Sequence, residues 1–278
     1  MTNHIADKVI VITGAGSGFG RLVAEMTAAA GAKVVGADIN EDGLKAMAEA
    51  IRAKGQIVEC VVTDITDRGQ TDRLAQHAID KFGAIDVLVN NAGIMPLAYF
   101  ADHKEASRAW SRAIDVNIKG VVNGISAVYD QMIKQGRGHV VNISSIYGNA
   151  GIEGSGVYSA TKAAVTSLSD SLRIEAKGKI KVTTVKPTGV PGTNLASAVV
   201  NEAAILGLVG NRREHYLASG QKFATGELST AETDPDNVQY WAITPTELAK
   251  NVVYVIDQPW GISISDITVR ASGDDYVY

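Results

Sequence analysis

Tyr158 and Lys162 stand four residues apart in the stretch GVYSATKAAV, residues 156–165, which otherwise has the composition of an apolar helix. An α-helix turns once every 3.6 residues, so side chains four positions apart lie on the same face. An ammonium group beside a phenol favours the phenolate and lowers the pKa of the tyrosine, which would make Tyr158 a usable base. The same spacing occurs where a solvent-facing lysine packs along a tyrosine ring, so the rest of the chain has to decide between the two interpretations.

A glycine-rich stretch near the N-terminus provides the second chemical signal. In VIVITGAGSGFGRLV, Gly14, Gly18 and Gly20 lie between a predicted strand and a predicted helix. Glycines at such a turn let the backbone approach a phosphate, and the free N–H groups of the helix N-terminus favour a pyrophosphate. Asp38 ends the next predicted strand, where a carboxylate accepts hydrogen bonds from adenosine ribose hydroxyls and repels a 2′-phosphate. The pattern therefore predicts a dinucleotide site that takes NAD.

The elements that must position these residues alternate along the chain. Seven apolar, β-branched segments are predicted as strands: 8–13, 33–38, 57–63, 85–90, 139–144, 181–186 and 264–269. Helical patterns are predicted at 18–30, 41–54, 67–82, 104–134, 157–177 and 246–257. Strands that are apolar at consecutive positions are typical of a parallel sheet buried on both faces. We therefore expect an α/β fold, a doubly wound seven-stranded parallel sheet of the Rossmann type, in a single domain over residues 1–278.

One segment, residues 187–243, interrupts this alternation. It contains no convincing strand, is rich in Gly, Asn and Thr, and has two short helical patches. Long insertions in compact domains are often lids or binding loops, so we expect a helical lid after the sixth strand. A surface excursion or a subunit contact is the alternative.

The composition excludes several classes of function. A formal net charge of −4 argues against nucleic acid as a partner, because phosphate binding needs a basic face. Cys60 is the single cysteine, so we expect neither an intrachain disulfide nor a cysteine-based metal site. The sequence shows no secretory signal and no run of about 18 apolar residues, which predicts a cytoplasmic protein with no membrane partner.

Taken together, the motifs resemble the short-chain dehydrogenase/reductase family in its single-domain form. TGAGSGFG, residues 13–20, matches the TGxxxGxG loop of that family, and NNAG, residues 90–93, matches its next motif. Three further matches follow in the family's order: DVNIKG with Asn117, NISSIYG with Ser145, and YSATK with Tyr158 and Lys162. The interval from Ser145 to Tyr158 is the usual one in the family, and the resemblance covers nearly the whole chain.

The resemblance implies a role for each of four residues. Tyr158 would be the general acid/base, which takes the alcohol proton in oxidation and donates a proton to the carbonyl oxygen in reduction. Lys162 would lower the pKa of Tyr158, together with the positive nicotinamide, and would hold the nicotinamide ribose. Ser145 would orient the substrate oxygen, whereas the neighbouring Ser144 would face the core or a backbone partner. Asn117 would position a water near Lys162 as a proton relay.

The resemblance also implies a set of cofactor contacts. They are Gly14, Ser17, Gly18, Phe19, Gly20, Asp38, Ile39, Asp64, Ile65, Asn91, Ala92, Gly93, Tyr158, Lys162, Pro187, Gly189, Val190 and Thr193. Asp64 would accept from the adenine amino group, and Ile65 would offer its backbone N–H. One departure is KPTGV, in which Thr188 stands where the family usually has glycine.

The substrate is predicted to be a medium-sized, neutral, hydrophobic alcohol or ketone, because the candidate contacts are chiefly apolar. These candidates are Met95, Ser145, Tyr147, Asn149, Glu153 and Tyr158, with the segment 193–220. His215, Tyr216 and Trp241 would close over a ligand or serve as core and interface residues. The last strand and the aromatic tail in ISISDITVRASGDDYVY would pair between subunits, as in the family, so a homotetramer or homodimer is implied.

Two other functions compete with an NAD-dependent alcohol dehydrogenase or ketone reductase. The first is an NADP(H)-dependent reductase of 3-oxoacyl or other ketone substrates, against which Asp38 argues. The second is a non-catalytic, nucleotide-sensing regulator. Such proteins typically lack the tyrosine or the lysine, whereas this chain has all four candidate residues.

Overall fold

The computed structural model describes residues 3–277 and contains one sheet of seven parallel strands. The strands are β1 (Val9–Thr13), β2 (Lys33–Asp38), β3 (Val58–Val62), β4 (Val87–Asn90), β5 (Gly138–Ile143), β6 (Ile180–Pro187) and β7 (Asp266–Val269). They follow the order β3-β2-β1-β4-β5-β6-β7, so the winding reverses between β1 and β4. The predicted doubly wound sheet is confirmed. Of the predicted domain over residues 1–278, residues 1–2 and 278 lie outside the described residues.

Helices cover both faces of the sheet. They are α1 (Gly18–Ala29), α2 (Glu41–Arg52), α3 (Arg68–Phe82), α4 (His103–Ile114), α5 (Gly120–Gln135), α6 (Gly156–Glu175), α7 (Arg213–Thr225), α8 (Thr230–Thr233) and α9 (Pro245–Ile256). Successive residues of β1 point to opposite faces, so that Ile10 and Ile12 pack with α1, α2 and α9, whereas Val9 and Val11 pack with α3, α5 and α6. The near-continuous apolar runs of the sequence therefore reflect burial on both faces.

Helix α9 begins as its sequence predicts. The Thr244 hydroxyl accepts from the Glu247 N–H, the Glu247 carboxylate accepts from the Thr244 N–H, and Pro245 is the first helical residue. This reciprocal pair satisfies N–H groups that have no partner within the helix.

The helix predicted over 104–134 is interrupted. A π-helical turn, Asp115–Lys119, separates α4 from α5. Such a turn accommodates one extra residue per turn, and π-turns are frequent at functional sites. Asn117, a predicted catalytic residue, lies in this turn and is buried.

A chain of buried polar groups joins β4, β5 and α6. The Asn90 amide donates to the Asn142 side chain at 2.8 Å, and the Asn142 amide donates to the Ser169 hydroxyl at 2.9 Å. The Ser169 hydroxyl donates to the Val165 carbonyl one turn earlier in α6. Because each of these donors has a buried acceptor, the chain fixes α6 relative to the two central strands without leaving an unpaired group.

The predicted excursion after β6 is mostly helical. It contains the 3-10 segments Asn194–Ala198 and Glu202–Arg212, followed by α7 and α8. The backbone bends at Gly210, whose φ of 54° and ψ of −120° are non-helical. None of the described helices is long and apolar enough to cross a membrane.

Candidate active site

Two adjoining cavities open at the carboxyl ends of the strands. One, of ≈ 360 Å³, lies over the glycine loop, β2 and β4, and we call it the nucleotide cavity. The other, of ≈ 370 Å³, lies over β5 and α6 and is called the catalytic cavity. Phe19, Asn91, Gly93, Thr193 and Leu195 line both cavities, which therefore form one continuous cleft. This place, where the winding of an open parallel sheet reverses, is where such folds bind ligands.

The glycine loop is shaped to receive a phosphate. Gly18 has a φ of +55°, and an added Cβ at Gly20 would lie 2.4 Å from the Gly14 carbonyl oxygen. Ser17 precedes α1 without a side-chain hydrogen bond to its first N–H groups. The positive end of this helix therefore faces the cavity with donors that Ser17 does not cap.

The NNAG motif fastens the glycine loop to β4. The Asn91 side-chain amide donates to the carbonyls of Thr13 and Gly14, at 2.8 and 3.1 Å. In return, the Thr13 hydroxyl accepts from the backbone N–H groups of Asn91 and Ala92. These bonds hold two separate motifs in one rigid wall of the cleft.

Asp38 lies in the nucleotide cavity at the end of β2. One carboxylate oxygen accepts from the Gly16 N–H and the other from the Asn40 N–H, each at 2.9 Å. The carboxylate is therefore fixed against the glycine loop with its negative charge on the cavity wall. A fixed carboxylate at this place can accept from ribose hydroxyls.

Every predicted cofactor residue lines one of the two cavities. Asp64 also accepts from the backbone N–H and the hydroxyl of Thr66, at 2.9 and 2.8 Å, so its carboxylate is held by its own turn. Sequence reasoning missed six other residues that line the nucleotide cavity: Ala37, Asn40, Thr63, Ile94, Arg112 and Val116. Asn194, Leu195 and Ser197 also line it, although the sequence predicted their segment, 193–220, to contact the substrate. Arg112 comes from α4, where no glycine motif marks it.

Ser145 and Tyr158 meet in the catalytic cavity. Ser145 lies two residues after the end of β5 and directly before a 3-10 turn, where its hydroxyl accepts from the Tyr147 N–H at 3.2 Å. Tyr158 stands in the first turn of α6 and lines the same cavity as Ser145, whose side chain acts on the pKa of the Tyr158 phenol. Both side chains are buried, with 4% exposure each. The serine hydroxyl is thus placed to share a hydrogen bond with an oxygen that the tyrosine also reaches.

Lys162 lies one turn further along α6, on the same face as Tyr158. Its ammonium is 5.8 Å from the centroid of the Tyr158 ring and donates to the Ile143 carbonyl at 2.9 Å. An added Cβ at Gly93 would lie 3.5 Å from the Lys162 Nζ, so the NNAG motif comes close to the ammonium. The interpretation of a solvent-facing lysine is wrong, because Lys162 is only 5% exposed.

The protein alone does not lower the pKa of Tyr158 in the way that the i, i+4 spacing predicts. Burial raises the pKa of Tyr158 to about 12, and the neighbouring Ser145 side chain acts in the opposite direction. Burial also lowers the pKa of Lys162 to about 8. Burial therefore opposes the charged form of both groups, and the i, i+4 spacing does not by itself lower the pKa of Tyr158. A further positive charge or donor in the cleft is needed to bring the pKa of Tyr158 towards neutrality.

Asn117 holds the site together from the π-turn. Its side chain exchanges two hydrogen bonds with the backbone of Ile94, each at 2.9 Å, and donates to the Thr161 hydroxyl at 3.0 Å. Thr161 is next to Lys162 in α6. The Asn117 side chain therefore links the segment after β4 to α6, whereas its role in a proton relay stays a prediction.

The catalytic cavity is largely apolar. Met95, Val190, Leu195, Ile205, Leu208 and Trp241 contribute to its lining. Among the described residues that line it, Lys162 is the one acidic or basic side chain. Four tyrosines add hydroxyl groups: Tyr147, Tyr158, Tyr216 and Tyr276. The sequence left open whether Tyr216 and Trp241 close over a ligand or serve as core and interface residues. Both line the catalytic cavity.

The structure places two predicted substrate contacts elsewhere, and neither is retained as a candidate. Asn149 is exposed at the end of the 3-10 turn and does not line the cavity. The Glu153 carboxylate forms an ion pair with Arg213 of α7, at 2.6 Å, outside the lining. His215 is also outside it, because its ring is bonded to the Asp275 carboxylate at 2.8 Å.

Three other residues find their explanation in the structure. The Ser144 hydroxyl donates to the Lys162 carbonyl at 2.8 Å, so its predicted backbone partner is confirmed. Lys186 is paired with Asp266 of β7 at 2.9 Å, which ties the last two strands together. The Thr188 N–H donates to the Val269 carbonyl at 3.1 Å, so a residue other than glycine is accommodated there.

The residues of the cleft fit a nicotinamide dinucleotide. The nucleotide cavity has an uncapped helix N-terminus and a fixed carboxylate, as a pyrophosphate and a ribose require. In the catalytic cavity, the Thr188 hydroxyl oxygen is buried and has no hydrogen-bond partner among the described residues. A buried orphan hydroxyl of this kind is satisfied when a ligand supplies the partner.

Comparison with known proteins agrees with this geometry. The chain matches the sequence model of the family described as short chain dehydrogenase, over residues 8–204. An uncharacterized oxidoreductase of Listeria innocua is 35% identical over 272 residues, which cover 95% of this chain and 96% of the relative. A short-chain dehydrogenase/reductase of Burkholderia phymatum, solved in complex with NAD, is 30% identical over 96% of this chain and 90% of its own, with a TM-score of 0.74.

A second solved structure, the closed form of serine dehydrogenase complexed with NADP⁺, is 25% identical over 94% of each chain, with a TM-score of 0.75. The sheet, the cleft and these similarities together define an oxidoreductase. The protein belongs to the short-chain dehydrogenase/reductase family.

Proposed function

We propose that the protein is an NAD(H)-dependent oxidoreductase that interconverts a secondary alcohol and a ketone of medium size and neutral, hydrophobic character. One observation carries the proposal: Ser145, Tyr158 and Lys162 lie together in an apolar cavity that continues into a dinucleotide-shaped cleft. A bound nicotinamide supplies the hydride acceptor or donor. The residues of the chain supply position and the proton.

Ser145 and Tyr158 share the substrate oxygen in this mechanism. The Ser145 hydroxyl orients that oxygen, and the Tyr158 hydroxyl takes its proton in oxidation or gives one in reduction. The apolar lining excludes water from the pair and strengthens each hydrogen bond. Because Lys162 is the one charged side chain of the lining, a neutral substrate is accommodated without an unpaired buried charge.

Lys162 and Asn117 support the pair. The Lys162 ammonium is held by the Ile143 carbonyl next to the Tyr158 ring, where it would bind the nicotinamide ribose hydroxyls. Asn117 fixes the segment around Ile94 to Thr161 of α6 and thereby keeps the neighbouring Lys162 in its position beside Tyr158. The relay of protons through a water near Asn117 is part of the proposal.

The choice of NAD rests on Asp38. Its carboxylate is fixed on the wall of the nucleotide cavity and would repel a 2′-phosphate. The Burkholderia phymatum relative, which is in complex with NAD, supports the same choice. The presence of Arg112 in the lining favours the second candidate, an NADP(H)-dependent ketone reductase, because a guanidinium can pair with a phosphate.

The test follows absorbance of the reduced nicotinamide with NAD⁺ or NADP⁺ and neutral secondary alcohols from isopropanol to cyclododecanol. Tyr158→Phe should lower kcat/KM at least about 100-fold, since general acid–base catalysis contributes that much. NAD⁺ binding, measured by calorimetry, should change less than about threefold. Tyr254→Phe is the matched control, because Tyr254 is 55% exposed on α9 and lines neither cavity.

Each outcome assigns the function. Turnover with NAD⁺ that disappears in Tyr158→Phe supports the proposal. Turnover with NADP⁺ alone transfers the assignment to the second candidate. Tight NAD⁺ binding with no turnover of any alcohol or ketone would favour the nucleotide-sensing regulator instead.

A further inference from the structure

The C-terminal tail, which we define as residues 270–277, folds back onto the catalytic cavity of its own chain. The Gly273 N–H donates to the Tyr240 carbonyl at 2.9 Å, and the Val277 N–H donates to the Leu208 carbonyl at 3.1 Å. The tail thus runs from Tyr240, near the end of the excursion, to Leu208 in the 3-10 segment Glu202–Arg212. Between these two anchors it places Tyr276 in the lining of the cavity.

Tyr276 occupies a place that is shaped for its ring. The ring packs edge-on against Tyr147, with centroids 6.4 Å apart, and against Tyr216 at 5.9 Å. An added Cβ at Gly189 would lie only 1.9 Å from the Tyr276 hydroxyl oxygen. Any side chain at position 189 would therefore displace the phenol, so the segment after β6 and the tail are fitted to each other.

The phenol of Tyr276 stays neutral over the working range of the protein. Burial, followed by the neighbouring Tyr216, raises the pKa of Tyr276 well above its ordinary value. Burial likewise raises the pKa of Tyr147. The wall that Tyr276 forms is therefore an uncharged aromatic surface, which suits an apolar group of a substrate.

Asp275 anchors the residue next to Tyr276. Its side chain is fully buried and accepts from the Trp241 indole N–H at 3.0 Å. The same carboxylate contacts the His215 ring at 2.8 Å and the Arg212 guanidinium at 3.6 Å, both on the excursion. Donors on three sides hold a buried carboxylate in one place, because it loses these bonds if it moves.

The tail is also braced within itself. The Arg270 guanidinium pairs with Asp274 and donates to the Tyr276 carbonyl at 3.0 Å. The Asp274 carboxylate accepts from the Tyr276 N–H at 3.3 Å. The N–H and the carbonyl of Tyr276 are therefore both hydrogen-bonded, and its ring has little freedom to leave the cavity.

We propose that Tyr276 is a specificity-determining residue, whose ring is a fixed wall that limits the size of the group carried beside the reacting carbon, and that Asp275 is the positioning residue for this wall. The inference rests on the proposed function of the same cavity. The nicotinamide would share this cavity of ≈ 370 Å³ with the substrate, so we expect the Tyr276 ring to admit small and medium rings beside Tyr158 and to exclude larger ones.

The experiment compares kcat/KM for cyclohexanol and cyclododecanol, a pair that differs in ring size and not in polarity. Tyr276→Ala should raise the cyclododecanol-to-cyclohexanol ratio at least about tenfold, because relief of one steric clash in a pocket is worth that much. Tyr276→Phe keeps the ring and should leave the ratio within about twofold of the starting protein. Tyr276→Leu provides an intermediate wall if the alanine variant folds poorly.

The role of Asp275 is read from a double-mutant cycle. Asp275→Ala should raise the same ratio, though less than Tyr276→Ala does, because the ring remains but is no longer held. In the Tyr276→Ala background, Asp275→Ala should change the ratio less than it does in the starting protein, because only the Trp241 ring is then left for it to position. If Asp275 had only a structural role, Asp275→Ala would lower stability equally in the starting protein and in Tyr276→Ala. It would then have the same effect on the cyclododecanol-to-cyclohexanol ratio in both.

Binding gives a readout that does not depend on turnover. Quenching of tryptophan fluorescence by cyclohexanone and cyclododecanone, in the presence of NAD⁺, reports ligand entry next to Trp241. Tyr254→Ala is the control and should change neither the binding ratio nor the kinetic ratio. If no variant turns over any alcohol, the proposed function fails while the binding ratio still tests the wall. If Tyr276→Ala leaves both ratios within twofold of the starting protein, the inference is overturned.

Discussion

In the proposed mechanism the two reaction directions need Tyr158 in opposite protonation states, so their pH dependence should differ. Oxidation needs the phenolate, whereas reduction needs the phenol. Burial raises the pKa of Tyr158 to about 12 in the protein alone. A group with a raised pKa is in its basic form only at high pH, so raising the pH should accelerate oxidation and leave reduction unchanged until the phenol is lost.

The size of the effect follows from the two pKa values. A group with a pKa of about 12 has about one phenolate in 100,000 at pH 7, and this fraction rises tenfold per pH unit. The positive charge of NAD⁺ lowers the pKa of Tyr158 when bound, which moves the plateau to lower pH but keeps the slope below it. Burial lowers the pKa of Lys162 to about 8, so the supporting cation is lost above that pH and the rise should weaken there.

The assay measures kcat/KM for cyclohexanol with saturating NAD⁺, and for cyclohexanone with saturating NADH, between pH 5.5 and 9. A primary deuterium isotope effect on the alcohol confirms that hydride transfer limits the measured rate. We expect oxidation to rise about tenfold per unit in the acidic part of this range and reduction to vary less than twofold from pH 6 to 8. In Tyr158→Phe the residual oxidation should lose its pH dependence.

A flat oxidation rate from pH 5.5 to 7, with a full isotope effect, would refute the reasoning. It would mean that the base is already ionised in acid, which a buried phenol whose pKa is raised cannot be. A steep rise that persists in Tyr158→Phe would assign the titration to another group.

Two further predictions concern charge at buried or constrained positions. Asp38→Asn should weaken NAD⁺ binding about 10- to 150-fold, the effect of losing about 1.5–3 kcal/mol from charge-assisted hydrogen bonds, and should reduce discrimination against NADP⁺. Calorimetry with both cofactors measures the two effects. The control is Asp42→Asn, on the exposed first turn of α2, which should change neither the NAD⁺ affinity nor the discrimination. His139 is buried against the Thr183 hydroxyl, and burial lowers its pKa well below the ordinary value, so the folded state disfavours the proton that the unfolded state binds. The free energy of unfolding should therefore fall by up to about 1.4 kcal/mol per pH unit as the pH drops below about 6.5. Urea titrations of His139→Gln should show a shallower fall, and equal slopes in His139→Gln and the starting protein would contradict the assignment, with the exposed His103→Gln as control.

The motifs allowed the nucleotide half of the cleft to be predicted from the sequence. Gly14, Gly18 and Asp38 mark strand ends and a turn, and the parallel sheet brings all strand ends to one edge. Arg112 could not be predicted, because it enters the cavity from α4, an element defined only by its apolar periodicity. Long-range placement of this kind depends on how the helices pack rather than on local spacing.

The catalytic half shows why spacing alone is insufficient. The i, i+4 rule correctly places Tyr158 and Lys162 on one face, but the order in which they lose protons depends on burial. Periodicity likewise predicts one helix where a π-turn presents Asn117, since one inserted residue hardly alters the apolar pattern. Tyr276 reaches the cavity only through the path of the tail, which no local pattern reveals.

The polar chain of Asn90, Asn142 and Ser169 has a consequence for how this protein can be altered. These residues fix α6, which carries Tyr158 and Lys162, to the central strands, whereas the excursion and the C-terminal tail contribute Leu195, Ile205 and Tyr276 to the lining of the catalytic cavity. Under the proposed function, directed evolution confined to Leu195, Ile205 and the tail should change the choice of substrate while Tyr158 and Lys162 keep their positions.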